Sequence, residues 1–415
     1  MGTGLDWSFL QYPYGVILAT VWLYIVVAIY LRSGTKPSLK KLWGYFACTL
    51  VFAAAIILCA FRGAFCNVPL ERSLIFCLVM AALATSTALA AGDDISRRQL
   101  SGAGPLFSHL GAALAIILLC CGSADKEKVR ITAVQGQPVC MGTTPEGRPA
   151  MVPFMITLED FSVEEYADHK PRRFCSTLDI RDRKGRERTE SIEVNHPASL
   201  GSWNIYQAGH EGSQTSILEC VRDPWEIPKT AVLVLLLAAG VAIAIRGLKM
   251  FSGRASLAVG AVALGALCFA YLIIFRHNLH KELPPALRCF WYVPHVSVYI
   301  VGYSALAGAT VCAVVRLFRP DKAKAGAALA RLGWGLLTLG MVMGALWAKQ
   351  AWGDFWTWDP KESWAAATWL CWGLSFHIKG LKSRLWIEII SFTLLQMCWW
   401  GVNLLPQASS LHLYK

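Results

Sequence analysis

Ten apolar stretches run through the chain, near residues 14–31, 43–61, 71–91, 106–122, 229–246, 255–275, 295–317, 332–347, 363–379 and 385–402. Each approaches the roughly 17 to 25 residues that carry a helix across a bilayer. Between the fourth and the fifth the pattern changes. "VPFMITLEDF", "FCSTLDIRD", "TESIEVNHP", "SWNIYQAG" and "TSILECVRD" set apolar beside polar residues at near period two, and "DRKGRE" and "NHPASLGS" supply turns between them. The predicted architecture is a polytopic α-helical membrane protein of about ten transmembrane helices with one external β-rich domain. Its parts are a four-helix membrane region over 1–122, a mostly antiparallel β domain over 123–228, and a six-helix region over 229–415. No internal repeat interrupts this order.

Composition agrees with the pattern. Of 415 residues, 55% are hydrophobic and 16% charged, too apolar for a soluble globule of this length. The net charge of +12 is concentrated in short connections: Arg32, Lys36, Lys40 and Lys41; Arg246, Lys249 and Arg254; Arg316, Arg319, Lys322, Lys324 and Arg331; Lys379, Lys382 and Arg384. Basic loops stay on the cytoplasmic side. An even number of spans puts all four there, and puts both termini, the β domain and residues 352–364 outside. The charge is thus a topology signal and calls for no nucleic-acid partner. No cleavable signal peptide is expected, because Met1 to Tyr14 lacks a basic start and a small-residue cleavage site.

Most of the fourteen cysteines, such as Cys48, Cys59, Cys77, Cys268, Cys312, Cys371 and Cys398, fall inside apolar stretches and read as small hydrophobes. No C-x-x-C pair is present. Cys140, Cys175 and Cys220 share the external segment, where one disulfide among them is left open.

Among the nine histidines, depth is the informative property. His109 starts the fourth stretch and His377 ends the ninth, both toward the cytoplasm. His295 starts the seventh and His412 follows the tenth, both at the outer level. An ionisable side chain at membrane depth is costly and raises a functional hypothesis. Two imidazoles at each of two levels suit two bis-imidazole iron sites. The alternative for each is a hydrogen-bonded packing residue. His169, His196, His210, His277 and His280 lie in polar segments and read as solvated.

Residues 352–364, "WGDFWTWDPKESW", hold four tryptophans and three acids. Asp359, Pro360 and Glu362 resemble a helix start, with an Asp N-cap, Pro at the first position and Glu at the third. Trp352, Trp356 and Asp359 would share a face if the segment were helical. A belt at the headgroups is the plain reading of the tryptophans. A shelf of Trp352, Trp356 and Trp358 under a large planar ligand is the sharper one, while the helix start explains Asp359 and Glu362.

This stretch resembles the signature of the WWD family of haem-handling membrane proteins. The order His295, tryptophan loop, His377, then "GVNLLPQASSLHLYK" with His412 resembles the System II, CcsA-type cytochrome c assembly protein. "SHLGAALAIILL" with His109, and "VPFMITLEDFSVEEY" through "IEVNHPASLGSWNIYQ", are similar to its ResB-type partner. The resemblance implies a fusion of both, acting as a holocytochrome c synthase in the bacterial inner membrane. Haem b would enter at His109 and His377 and reach His295, His412 and the tryptophans. There it would join the C-x-x-C-H motif of an apocytochrome c by thioether bonds, with Asp359 positioning the loop. Membrane lipid and thiol-reducing proteins are the further partners implied. The alternatives are a haem transporter that delivers without attaching, as in System I relatives, and a scaffold that uses the loop as a belt.

Overall fold

A computed structural model describes residues 14–32, 74–96, 103–120, 122–123, 125–251, 264–276, 282–320 and 325–400. The expected span at 43–61, His277, His280 and His412 lie outside the described residues.

Nine helices appear among the described residues. They are α1 (Tyr14–Arg32), α2 (Leu74–Ser96), α3 (Ala103–Cys120), α4 (Glu226–Lys249), α5 (Leu264–Arg276), α6 (Tyr292–Phe318), α7 (Gly326–Trp352), α8 (Pro360–Ser375) and α9 (Leu381–Trp399). Four of them, α1, α4, α6 and α7, are long and apolar enough to cross a membrane by length and composition. α7 runs for 27 residues where the hydropathy pattern marked only 332–347. It is the central helix, packed on both α4 and α6, and it buries Leu332, Trp334, Leu337, Val342 and Trp347. Glycines that look like breakers in isolation let its neighbours approach.

Between α3 and α4 stands an all-antiparallel sheet of eight strands, ordered β5-β4-β3-β2-β1-β8-β7-β6. The strands are β1 (Glu127–Val134), β2 (Pro138–Thr143), β3 (Pro149–Glu165), β4 (Pro171–Asp182), β5 (Glu187–Glu193), β6 (Ala198–Leu200), β7 (Trp203–Glu211) and β8 (Thr215–Arg222). Read as a circle, the order is a meander whose first and last strands pair over eight residues, Glu127↔Arg222 to Val134↔Thr215. Only the β5–β6 seam lacks a ladder, and the Glu193↔His196 bridge ties it. The sheet is thus barrel-like. Alternate residues point inward to one core, among them Ile131, Ile156, Leu158, Leu178, Ile192, Ile205 and Leu218. The "DRKGRE" turn is closed by Asp182, whose Oδ1 accepts from the Lys184 and Arg186 amides at 2.8 and 3.0 Å. Cys140, Cys175 and Cys220 are free thiols in this domain.

Chain direction sets the two ends of the bundle. α4 leaves the β domain and ends at Lys249, α6 and α8 also run away from it, and α7 returns. Arg316, Arg331 and Arg384 therefore gather at the far end around Glu388, which Arg384 Nε reaches at 3.1 Å, with Arg246 near Arg331. The tryptophan loop lies at the β-domain end.

Candidate functional site

The tryptophan loop begins where α7 stops. Gly353 takes the left-handed conformation, φ 85°, and its amide donates to the Lys349 carbonyl. Residues 353–359 are not helical. The shared helical face of Trp352, Trp356 and Asp359 is therefore not formed, because the glycine cap ends the helix before it could extend. α8 then starts as its sequence suggests. The Glu362 amide donates to Asp359 Oδ1 at 2.8 Å, and Glu362 Oε2 accepts from the Asp359 amide at 3.3 Å. That same oxygen accepts from the Thr357 amide at 2.8 Å and the Thr357 hydroxyl at 3.1 Å. One buried carboxylate thus closes both the cap and the turn before it.

Trp358 sits at the tightest point, with φ 58° for a bulky residue. It is 7% exposed and packs with Met80 and Leu83 of α2, Ile116 of α3, and Ala367 and Cys371 of α8. Trp356 meets it edge to face, centroids 5.7 Å apart and planes at 80°. Those two rings are therefore not coplanar: the flat surface expected of the three tryptophans is instead a corner. Trp352 lies 6.4 Å from Trp347, a ring the sequence reading did not single out.

Trp347 leads to His295, with centroids 5.8 Å apart. His295 Nδ1 lies 2.9 Å from the Gly340 carbonyl, so it must donate, and the lone pair of the neutral ring is on Nε2. The imidazole occupies a groove in α7. A Cβ on Gly344 would lie 2.8 Å from His295 Cε1, and one on Gly340 would lie 2.6 Å from Tyr299 Cε1. The signal for this groove was present as "GMVMG", a small-residue pair four apart on α7, matched by His295 and Tyr299 four apart on α6.

At the other end, His109 of α3 and His377, just past α8, have ring centroids 5.5 Å apart with planes at 40°. The structure brings these two together. The α2–α3–α8 cluster that holds Trp358 runs along the same α3–α8 seam. His109 to Ile116 is seven residues, about 10 Å along a helix. Of the residues read as solvated, His169, His196 and His210 are exposed. Among the described residues no group of three or more His, Cys, Asp or Glu could hold a metal ion.

Sequence reasoning missed the charges beneath the loop. Asp354 is 8% exposed and pairs with Lys126, and with Lys128 at 3.1 Å; Lys128 also reaches Glu219 at 3.2 Å. Lys229 pairs with Asp223 at 2.8 Å and Lys349 with Glu226 at 2.9 Å. Burial, with Lys229, Lys128 and Lys349 nearby, pushes the Lys126 ammonium down to about 7, while Asp223 works the other way.

Fold and site define a helical bundle, four of whose described helices are long and apolar enough to cross a membrane, with a β barrel against an aromatic loop at one end and a histidine pair at the other. Residues 226–409 match the family described as cytochrome C assembly protein, and residues 96–244 match the ResB-like family. One polypeptide thus carries a match to each family, and the two matches overlap at 226–244. It is similar to proteins named "Cytochrome c biogenesis protein CcsA". The one from Chlamydomonas reinhardtii is 33% identical over 32% of this chain and 43% of its own length. That of Synechococcus sp. (strain RCC307) is 34% identical over 30% and 54%, and that of Hordeum vulgare 31% over 38% and 53%. The chain spans about half the length of the curated relatives it matches.

Proposed function

We propose that this protein acts in cytochrome c biogenesis as a holocytochrome c synthase, moving haem outward and attaching it to apocytochrome c. The observation that carries the reading is the pairing of His109 with His377. One lies in the ResB-like region and the other in the assembly region, so neither region alone would provide the pair. Two iron–nitrogen bonds of about 2 Å plus the ring half-widths put ligating imidazole centroids about 6 Å apart. The observed centroid distance of 5.5 Å is close to that separation.

In this reading haem enters from the cytoplasmic end at His109 and His377. The apolar α3–α8 seam leads from that pair to Trp358 and Trp356, which offer a corner for a planar ring. His295, held by the Gly340 carbonyl and the Gly344 gap, supplies one outer imidazole, and His412 the other. Asp359 holds the loop between α7 and α8. The substrate peptide is a C-x-x-C-H segment. Each thiol adds across a vinyl group, the sulfur bonding one carbon and the proton going to the other, so no net oxidation occurs. The peptide's own histidine replaces one outer imidazole before the thiols react. The protein's contribution is orientation and proximity. The ResB-like region favours attachment over delivery alone. In this reading the protein lies in the bacterial inner membrane with the barrel, the loop and both termini in the periplasm, an orientation that the basic loops support.

The test is co-expression with an apocytochrome c in cells lacking other attachment systems. Haem should remain on the cytochrome after denaturation. His109→Gly or His377→Gly should lower the haem that purifies with the protein at least severalfold. A wild-type protein that binds haem but yields no covalent product would leave only the delivery role.

A further inference from the structure

We propose that Asp354 is a positioning residue through which the barrel sets the pose of the tryptophan loop, the contact being its ion pairs with Lys126 and Lys128. This rests on the attachment reading above. The contact is built at three adjacent positions. At Gly353 a Cβ would lie 2.9 Å from Tyr206 Cε2 of β7 and 3.0 Å from Val221 Cγ2 of β8, so the backbone lies directly on the barrel wall. Asp354 then reaches into the wall to Lys126 and Lys128, at the start of β1. Phe355, 3% exposed, turns the other way and packs on Leu233 of α4 and Val342 and Ala345 of α7. Trp356 follows two residues after Asp354. Its indole is therefore placed by a chain anchored on the barrel at one side and on the bundle at the other.

The chemistry of the anchor explains why it would matter. Carrying both charges into a buried site is costly unless they are paired, and removing one partner leaves the other stranded. Asp354 sits among four ammoniums, those of Lys126, Lys128, Lys229 and Lys349. The counter-charges around them are Asp125, Asp223, Glu219, Glu226 and Asp354 itself. Of these, Asp354 alone belongs to the tryptophan loop. Neutralising it leaves Lys126 and Lys128 without their partner on the loop and removes the attraction that holds the loop on the barrel. Both lysines follow α3, the helix that carries His109, so the same segment of chain serves the inner histidines and the outer loop.

A charge swap tests this in the full-length protein. Asp354→Lys and Lys126→Asp should each lower covalent attachment tenfold or more, and the double variant should recover to within a fewfold of wild type. Lys126→Arg, whose charge does not titrate, supplies a readout that a merely structural role would not move. Lys126 is charged below about pH 7 and loses its ion pair to Asp354 above it. Wild-type attachment should therefore fall, relative to Lys126→Arg, as pH rises through 7. The other groups facing Lys126 are Lys229, Lys128, Lys349 and Asp223, which both proteins share. If the double variant stays as low as the singles, or if the two pH profiles coincide, the proposal is overturned. Asp354→Asn covers the case in which charge reversal prevents accumulation, and it should lower attachment with normal protein yield. Attachment at the wild-type level in that variant also refutes the proposal. Should the wild type attach no haem at all, the functional reading fails, and protease cleavage within 352–359 still judges the anchor. Cleavage should be faster in Asp354→Asn, and an equal rate would sink it.

Discussion

At the residue scale, the histidines and tryptophans separate by what replaces them. Imidazole in solution can fill the position vacated by an axial histidine but cannot rebuild an aromatic surface. Attachment lost in His295→Gly should return in part with added imidazole, whereas that lost in Trp352→Ala or Trp356→Ala should not. Trp358→Ala is expected to be worse on a second count. Its ring packs among Met80, Leu83 and Ile116, and emptying such a site costs about 3 to 5 kcal/mol. Thermal unfolding in detergent should therefore separate Trp358 from the half-buried Trp352. Wild-type attachment by all three tryptophan variants would reduce the loop to an interfacial belt. The nearness of His109 and His377 was legible in the sequence because an imidazole at membrane depth is conspicuous wherever its neighbours lie. Lys126 and Lys128 were not, since their partner Asp354 is more than two hundred residues away and nothing local marks the pairing.

At the element scale, the start of α8 is where sequence and structure agree most closely. The capping box spans four residues, so its chemistry is local and readable. Asp359→Ala should destabilise by about 0.5 to 2 kcal/mol, the usual cost of losing an N-cap. Glu362→Ala should cost more, because Glu362 Oε2 also holds both Thr357 donors. Calorimetric or denaturant melts that rank Asp359→Ala as the more damaging would contradict this order. α7 shows the opposite case. The apolar pattern marked only 332–347 of it, while the fold uses two of its glycines to seat His295 and Tyr299. The left-handed Trp358 was equally hidden, since its conformation follows from packing against α2 and α3.

At the scale of the whole molecule, the basic loops and the barrel mark opposite ends of one bundle. A reporter active only in the periplasm should work when fused after Gly122 or Trp352 and fail after Arg319. Activity at Arg319 would invert the orientation and, with it, the direction proposed for haem. The period-two stretches revealed the β domain because half-buried strands impose alternation on the chain. Its circular strand order was not readable, because pairing of β1 with β8 depends on residues almost a hundred positions apart.

That pairing has a mechanical and historical consequence. The barrel leaves α3 and returns to α4 through two strands hydrogen-bonded side by side, so the bundle meets it as a cassette plugged into a single socket. Chain can be added to or removed from an exposed turn such as 182–186 without spreading the two helices or disturbing the socket. Evolution could thus resize the cassette while the spacing of the membrane helices stayed constant.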